Sequence, residues 1–365
     1  MQMKVVIAGG GTGGHIFPAV AIGHALQRLN PGTELLFVGA NGKMEMEKVP
    51  QEGFKIVGLD IAGFNRSNLL KNLSLPFKLW KSRQQANNVI ADFKPDVVVG
   101  VGGFASFPML YVAQNKGIPT LIQEQNSFAG KSNKILGKRA KAVCVAYDNM
   151  ERFFPKEKII ITGNPVRARI SQSRITKQEG LDAFRLSTEK KTVLVVGGSL
   201  GAKSINEAIA KGLEMLKGMN VQLIWQTGKL FIEEARKSSE KYGSGFVVMD
   251  FIKNMEYAYA AADVVISRAG ALASAELCIA GKPVIFVPYP FAAEDHQTSN
   301  ALALVEHNAA LMVRDNDAQE QLIKKLQTLM SDDRMQVILS ENIVKQGIKD
   351  ADERIAKQVI AISGK

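Results

Sequence analysis

The sequence predicts an α/β protein of two parallel-sheet domains with a cleft between them, and three observations carry that expectation. Val5-Val6-Ile7-Ala8 runs into Gly9-Gly10-Gly11-Thr12-Gly13-Gly14-His15, and Val193-Leu194-Val195-Val196 runs into Gly197-Gly198-Ser199-Leu200-Gly201-Ala202. Each is a buried apolar strand whose closing glycines open a helix, where free N–H groups and the positive dipole end suit an anion. The two turns lie about 190 residues apart, and strand-like runs alternate with amphipathic stretches throughout, the pattern of βα units.

Taken in order, the first half holds apolar runs near residues 3–8, 34–39, 54–59, 96–101, 118–122, 142–146 and 158–162. The second half holds them near 192–197, 220–226, 245–249, 263–267, 283–287 and 310–313. All read as short strands of parallel sheets. Segment 164–190, with Pro165 and many polar residues, reads as the connection between domains. Three helical stretches, roughly 318–330, 333–346 and 350–362, follow with no strand between them. A chain of 365 residues suits two domains better than one core.

Hydrophobic residues make up 46% and charged residues 22%, a globular balance. The two cysteines, Cys144 and Cys278, sit inside apolar runs, which argues against a disulfide framework and for a reducing compartment. No apolar run approaches the ~18 residues of a membrane span, and the N-terminus opens on a strand rather than a signal peptide. The net charge of +11 is concentrated. Residues 61–91 contain no acid but hold Arg66, Lys71, Lys78, Lys81 and Arg83. Residues 125–147 again contain no acid but hold Lys131, Lys134, Lys138, Arg139 and Lys141. A basic first half suits an anionic partner. Nucleic acid is disfavoured, because these segments carry long apolar residues and match no recognised binding module.

Gly9, Gly11 and Gly14 satisfy G-x-G-x-x-G, which alone is a weak dinucleotide signal or simply a tight strand–helix turn. A nicotinamide cofactor also wants an acid after the next strand, and Ala40-Asn41 stand there. The second turn is a near miss to a P-loop, with Ala202 where glycine is needed, but Ser199 and its neighbouring amides remain good diphosphate ligands. His15 directly follows the first turn; at a helix N-terminus its cation is disfavoured, so it reads either as a neutral base or as a capping or packed residue. Ser267 to Glu276 follow strand-like Asp263 to Ile266 and form a third helix N-terminus at a strand's C-terminal end. Glu276 there reads either as a ribose ligand or as a surface acid favoured by the dipole. Asp315-Asn316-Asp317 weakly matches the D-x-D of metal-dependent sugar-nucleotide enzymes, but Asp317 reads better as a helix N-cap. No cluster has zinc spacing.

Residues 10–19 (Gly-Gly-Thr-Gly-Gly-His-Ile-Phe-Pro-Ala) resemble the opening of the MurG family of bacterial cell-wall N-acetylglucosaminyltransferases. So do the blocks 102–108, 124–130, 163–167, 197–202, 267–272 and 295–301, in the expected order. The resemblance implies two Rossmann-like domains facing a cleft, the GT-B glycosyltransferase fold. It implies transfer of N-acetylglucosamine from UDP-N-acetylglucosamine to undecaprenyl-pyrophosphoryl-N-acetylmuramoyl-pentapeptide, lipid I to lipid II, in peptidoglycan synthesis. By this resemblance residues 1–163 form the acceptor and membrane domain, residues 164–347 form the UDP-sugar domain, and a last helix near 348–365 packs back on the first. Thr12, Gly13 and Gly14 would face the donor diphosphate and acceptor, and Asn126 the donor sugar. Arg167 and Ser199 would hold phosphate oxygens and Ile252 would lie against uracil. Ala271, Leu272, Ala273, Ser274, Ala275 and Glu276 would line the diphosphate and ribose, with Gln297 near the sugar. Gly103, Phe104 and Ser106 would meet the acceptor; some family members have tyrosine where Phe104 stands.

Inversion at the anomeric carbon needs a base, for which His15 is the candidate, while Ser199, Arg167 and the second glycine loop receive the leaving-group charge. No cofactor and no divalent metal is expected. The run Leu69 to Lys81 interleaves apolar residues with lysines, so Leu75, Phe77, Leu79 and Trp80 with Lys78 and Lys81 are expected to meet an anionic membrane as an exposed flap, the alternative being an amphipathic helix packed on its own sheet. The expected location is peripheral, on the cytoplasmic face of the inner membrane. Rival readings are a related glycosyltransferase with another acceptor, a UDP-sugar epimerase, or a non-catalytic nucleotide-sugar sensor.

Overall fold

The computed structural model describes residues 2–61, 75–198 and 200–364, without the side chains of Leu75, Pro76 and Ala293. The chain divides into two units, Met1–Arg167 with Asp350–Lys365, and Ala168–Lys349. Unit 1 runs β1 (Lys4–Ala8), α1 (Gly13–Leu29), β2 (Glu34–Ala40), α2 (Glu45–Gln51), β3 (Ile56–Leu59), α3 (Leu75–Phe93) and β4 (Val97–Gly100). It continues through α4 (Ser106–Asn115), β5 (Thr120–Glu124), α5 (Lys131–Gly137), β6 (Ala142–Val145) and β7 (Ile159–Ile161). Unit 2 opens with α6 (Ala168–Ser171) and α7 (Lys177–Ala183), then β8 (Thr192–Val196), α8 (Lys203–Gly218), β9 (Gln222–Gln226), α9 (Ile232–Ser239) and β10 (Phe246–Met249). It ends with α10 (Met255–Ala261), β11 (Val264–Ser267), α11 (Ala271–Ala280), β12 (Val284–Phe286), α12 (His296–Glu306), β13 (Leu311–Met312), α13 (Ala318–Ser331) and α14 (Asp333–Lys345). The final helix, α15 (Ala351–Ser363), belongs to unit 1.

The strands form a seven-stranded sheet ordered β3-β2-β1-β4-β5-β6-β7 and a six-stranded sheet ordered β10-β9-β8-β11-β12-β13. Pairing is parallel, with Val5 opposite both Leu35 and Val97, and Val193 opposite both Leu223 and Val264. Helices cover both faces, so the central strands β1, β4, β8 and β11 are buried on both sides and read as Val/Ile/Leu-rich runs. Strand order reverses between β1 and β4 in unit 1 and between β8 and β11 in unit 2. At such a reversal the loops leaving adjacent strands diverge to opposite faces, and a crevice opens at the strands' C-terminal ends. Both glycine turns leave a strand at that point.

Two sequence expectations change here. Segment 164–190 is mostly not a connection: α7 carries a full capping box, Thr176 with Glu179, and docks on α10 so closely that a Cβ at Gly180 would come within 2.6 Å of the Ala261 nitrogen. The division between units falls at Arg167/Ala168 rather than at residue 163. Helix α15 buries Ile355, Ala356 and Val359 in the same core as Val5, Ile22, Leu26 and Val97, and Arg28 donates to Asp352 at 2.7 Å.

Candidate active site

In unit 1 the turns leaving β1 and β4 are fitted backbone to backbone. Gly10 N–H donates to the Gly102 carbonyl at 3.2 Å, and Gly103, at φ +85°, lies so close that a Cβ would stand 2.2 Å from the Gly10 oxygen. His15, in the first turn of α1, is half-buried against Gly102, where a Cβ would come 2.8 Å from Nε2. Its Nδ1 lies 3.0 Å from the Gly10 carbonyl oxygen. A carbonyl oxygen only accepts, so Nδ1 carries a proton in this contact, and whenever the ring is neutral its lone pair lies on Nε2. The N-cap of α1 is Thr12, without a side-chain cap hydrogen bond, and His15 is packed against Gly102.

The next wall is a buried polar network. Glu124, 2% exposed, accepts from Asn126 N at 3.1 Å and Nδ2 at 3.3 Å, and from Gly130 N at 3.1 Å and Asn133 Nδ2 at 2.8 Å. Asn126 is thereby held at the end of β5. Gln125 Nε2 donates to the Val101 carbonyl at 2.8 Å and Asn164 Nδ2 to the Gln125 carbonyl at 2.9 Å, tying the ends of β4 and β5 to the segment that leads to Arg167. Arg167 is half-buried and ends the unit. Phe104 is 41% exposed, but Ser106 is fully buried. The Ser106 hydroxyl packs where a Gly100 side chain would be, 2.6 Å from the Cβ position, as part of the wall.

In unit 2 the β8 and β9 turns interlock in the same way: a Cβ at Gly201 would stand 1.9 Å from the Thr227 oxygen. Gln226 Nε2 donates to the Gly198 carbonyl at 2.8 Å. Ser199 lies outside the described residues. In α11, Ala271, Leu272, Ala273 and Ala275 are half-buried and Ser274 is buried, its hydroxyl unpartnered among the described residues. Glu276 is 7% exposed and accepts from Tyr259 Oη at 3.2 Å, which removes the surface-acid alternative. Ile252 is 4% exposed, so its side chain is in the core while neighbouring Phe251 is exposed. Gln297 Oε1 accepts from Tyr289 N at 2.9 Å.

The helix starts differ in charge, and α4 and α5 share the uncapped, acid-free start of α1, α8, α11 and α12. Helices α1, α8, α11 and α12, which follow the central strands β1, β8, β11 and β12, have no side-chain cap and no acid in the first turn. Helices α2, α9, α10 and α13 each carry an acid there. Among α1, α8, α11 and α12, the last has Asp295 as its N-cap and α1 has the Glu45 carboxylate on the Gly11 N–H just before it, so α8 and α11 are the uncapped N-termini best suited to an external anion.

Three residues matter that the sequence did not single out. Glu45, 1% exposed, accepts from Gly11 N at 2.7 Å and Ala40 N at 3.0 Å. Glu124 organises Asn126, as above. Arg268 donates to the Val287 and Pro288 carbonyls at 2.9 and 3.1 Å, to Ser204 Oγ and to Asp315, joining the starts of α8 and α12's loop. Asp315 is thus an ion-pair partner, and the D-x-D resemblance is incidental. Asp317 does stand at the N-cap of α13, but without a side-chain cap bond. Cys144 and Cys278 are both pushed up to about 12 by burial, which removes them as nucleophiles.

Family models agree with this two-unit layout: the glycosyltransferase family 28 N-terminal domain matches residues 5–145 and its C-terminal domain matches residues 192–355. The chain belongs to this family. Within it, the chain is 52% identical to the UDP-N-acetylglucosamine–N-acetylmuramyl-(pentapeptide) pyrophosphoryl-undecaprenol N-acetylglucosamine transferase of Phocaeicola vulgatus, over 100% of this chain and 97% of that protein. It is 50% identical to the protein of the same name from Parabacteroides distasonis, over 100% and 99%. The crystal structure of Acinetobacter baumannii MurG superposes with a TM-score of 0.82 at 29% identity, covering 98% of this chain and 99% of that one. A UDP-GlcNAc 2-epimerase from Neisseria meningitidis, bound to UDP-GlcNAc, superposes at 0.67 with 16% identity, covering 98% and 100%, a likeness of fold alone. This family-28 chain is a glycosyltransferase of the MurG group, and the epimerase alternative is not favoured.

The family member's candidate membrane segment is helical: Pro76 stands in the first turn of α3, where a missing N–H costs little. Phe77, Leu79 and Trp80 are 65%, 48% and 64% exposed, and Lys78 is half-buried. Lys81 is not a free cation, because its Nζ pairs with Asp60 at 2.8 Å. Hydrogen bonds from Lys81, Asn41 and Gln85 hold the Asp60 carboxyl down to about 2. Residues 69–74 of the interleaved run lie outside the described residues. Among the described residues no helix is long and apolar enough to cross a membrane.

Proposed function

We propose that this chain transfers N-acetylglucosamine from UDP-N-acetylglucosamine to a lipid-linked N-acetylmuramoyl-pentapeptide, with inversion and without a metal. Full-length identity of 52% to a transferase of that name carries the reading of substrates. In the reaction, Nε2 of His15 takes the proton of the attacking sugar hydroxyl as its oxygen bonds to the anomeric carbon and the bond to UDP breaks. General-base assistance of this kind contributes roughly 100- to 10,000-fold. Leaving diphosphate charge is met by the N-termini of α8 and α11, with Arg167 and Ser199, and Glu276 accepts from the ribose hydroxyls. Ala271 to Ser274 line the diphosphate, Asn126 and Gln297 the donor sugar, and the backbone at Ile252 the uracil. Thr12, Gly13 and Gly14 face the donor diphosphate and the acceptor, and Gly103, Phe104 and the wall at Ser106 receive the acceptor. Incubation with radiolabelled UDP-N-acetylglucosamine and a lipid-linked muramoyl-pentapeptide should yield labelled lipid-linked disaccharide. UDP release without disaccharide would reject the acceptor.

The same reading puts unit 1 on the cytoplasmic face of the inner membrane. Phe77, Leu79 and Trp80 enter the headgroup boundary while Lys78 meets lipid phosphate at about 1 kcal/mol. Flotation with anionic liposomes should recover the protein at low salt, less at high salt, and less with a Leu79→Ser/Trp80→Ser variant. Equal recovery of parent and variant would move the contact elsewhere.

A further inference from the structure

We infer that Glu45 is a positioning residue for the base, acting on His15 through the peptide group between Gly10 and Gly11; this rests on the reading of His15 as base. Glu45 opens α2, away from the first glycine turn in sequence, yet its carboxylate lies beneath that turn with 1% exposure. Oε2 accepts from Gly11 N–H at 2.7 Å and Oε1 from Ala40 N–H at 3.0 Å. Two glycines make room for it. A Cβ at Gly10 would lie 2.2 Å from Glu45 Cδ, and one at Gly39 would lie 2.5 Å from Cγ.

Gly11 N–H and the Gly10 carbonyl are opposite ends of one peptide plane. Glu45 holds the N–H end, and His15 Nδ1 lies 3.0 Å from the oxygen at the other end. Gly10 and Gly11 sit at φ +144° and +88°, conformations open to glycine, and nothing on either Cα resists rotation of the plane between them. Rotated by half a turn, that plane would offer an N–H to Nδ1. The ring would then answer with its lone pair on Nδ1 and its proton on Nε2, the tautomer that cannot accept a proton from a sugar hydroxyl there. The turned plane would also aim a carbonyl oxygen at the buried carboxylate, two acceptors facing each other. Glu45 therefore selects the plane's orientation and, through it, the ring's tautomer. Hydrogen bonds in such a chain also polarise one another, so a carboxylate on the N–H end makes the carbonyl a better acceptor for Nδ1–H. This is the arrangement of a base oriented by a third group, with a peptide between them.

Glu45→Gln keeps the size of the side chain but brings an NH2 against one of the two backbone N–H groups. Relative to the parent, we expect turnover to fall about 10- to 100-fold, the scale of a misplaced catalytic group, with the donor KM within about twofold. In a His15→Ala background the same change should cost little, because residues acting as a unit are not additive. Ring-nitrogen NMR shifts of His15 should show the Nδ1–H tautomer in the parent and lose it in Glu45→Gln. Parent turnover in Glu45→Gln, an equal loss in both backgrounds, or an unchanged tautomer would each overturn the inference. If Glu45→Gln does not fold, Glu45→Asp gives the same readings, and if neither folds, Glu45 is a determinant of the fold and the positioning role is rejected. Turnover surviving in His15→Ala alone would instead remove His15 as base, while the NMR reading still decides whether Glu45 sets its tautomer.

Discussion

The first and second glycine turns share a pattern and differ in what stands behind them. At the first, Gly11 N–H points into the Glu45 carboxylate, Gly10 N–H is taken by the Gly102 carbonyl, and the Gly10 oxygen faces His15. At the second, the partners of the described residues are neutral: Gly201 N–H donates to the Gly198 carbonyl at 2.9 Å, which also accepts from Gln226. A strand that ends in glycines and opens a helix thus specifies a backbone shape, and the side chain beneath decides the use. A buried carboxylate on the Gly11 N–H disfavours phosphate at that one donor and suits the turn to mounting a base. A neutral surround leaves the second turn fit for diphosphate.

The sharpest test of that division is His15→Ala, which should lower turnover at least ~100-fold with UDP affinity within a few fold, and should erase the acidic limb of the pH–rate profile. A retained limb would put the base outside the first turn. Next is Gly201→Ala. At φ +81° and 1.9 Å from the Thr227 oxygen, the new Cβ forces the β8 and β9 turns apart. About 3 kcal/mol of stability should be lost in thermal melts, together with UDP binding. Glu276→Ala should raise the donor KM by roughly 10- to 100-fold, the loss of one charge-assisted hydrogen bond of ~1.5–3 kcal/mol, and leave the acceptor KM near its parent value. An unchanged donor KM would take Glu276 out of the ribose site. Smallest is Gly11→Ala, whose Cβ meets nothing within 4 Å at φ +88°. Only the backbone penalty of ~1–2 kcal/mol applies, so it should melt slightly early and bind UDP normally. Weakened UDP binding there would mean that the first turn does hold phosphate.

Much of this was legible in the sequence. The apolar runs read as strands are strands, because a strand buried on both faces is apolar through its middle, with polar residues such as Glu124, Gln222 and Gln226 kept to its ends. The two turns stand out because only glycine accepts those backbone angles. Glu45 was not legible. It alternates with Met46 and Glu47 in a polar helix, and Glu47 is exposed while Glu45 is buried. The difference is made by vacancies at Gly10 and Gly39, which chain order does not reveal. The burial of Ser106 was likewise not legible, because it is set by packing against Gly100 on the neighbouring strand. Segment 164–190 looked like a linker from its polar composition, yet Thr176-Lys177-Gln178-Glu179 carries the signature of a capped helix start.

Helix α15 has a consequence for the order in which the molecule is made. Its residues Ile355, Ala356 and Val359 complete a core whose other members, Val5, Ile22, Leu26 and Val97, leave the ribosome long before it. Unit 2 is synthesised in between, so it is an insertion in the chain of unit 1. Domains tend to fold as they emerge, but here the first sheet must wait with part of one apolar face bare until α15 has followed the whole of unit 2. A nascent chain stalled before Ala351 would have a second unit free to finish and a first unit still a client for chaperones.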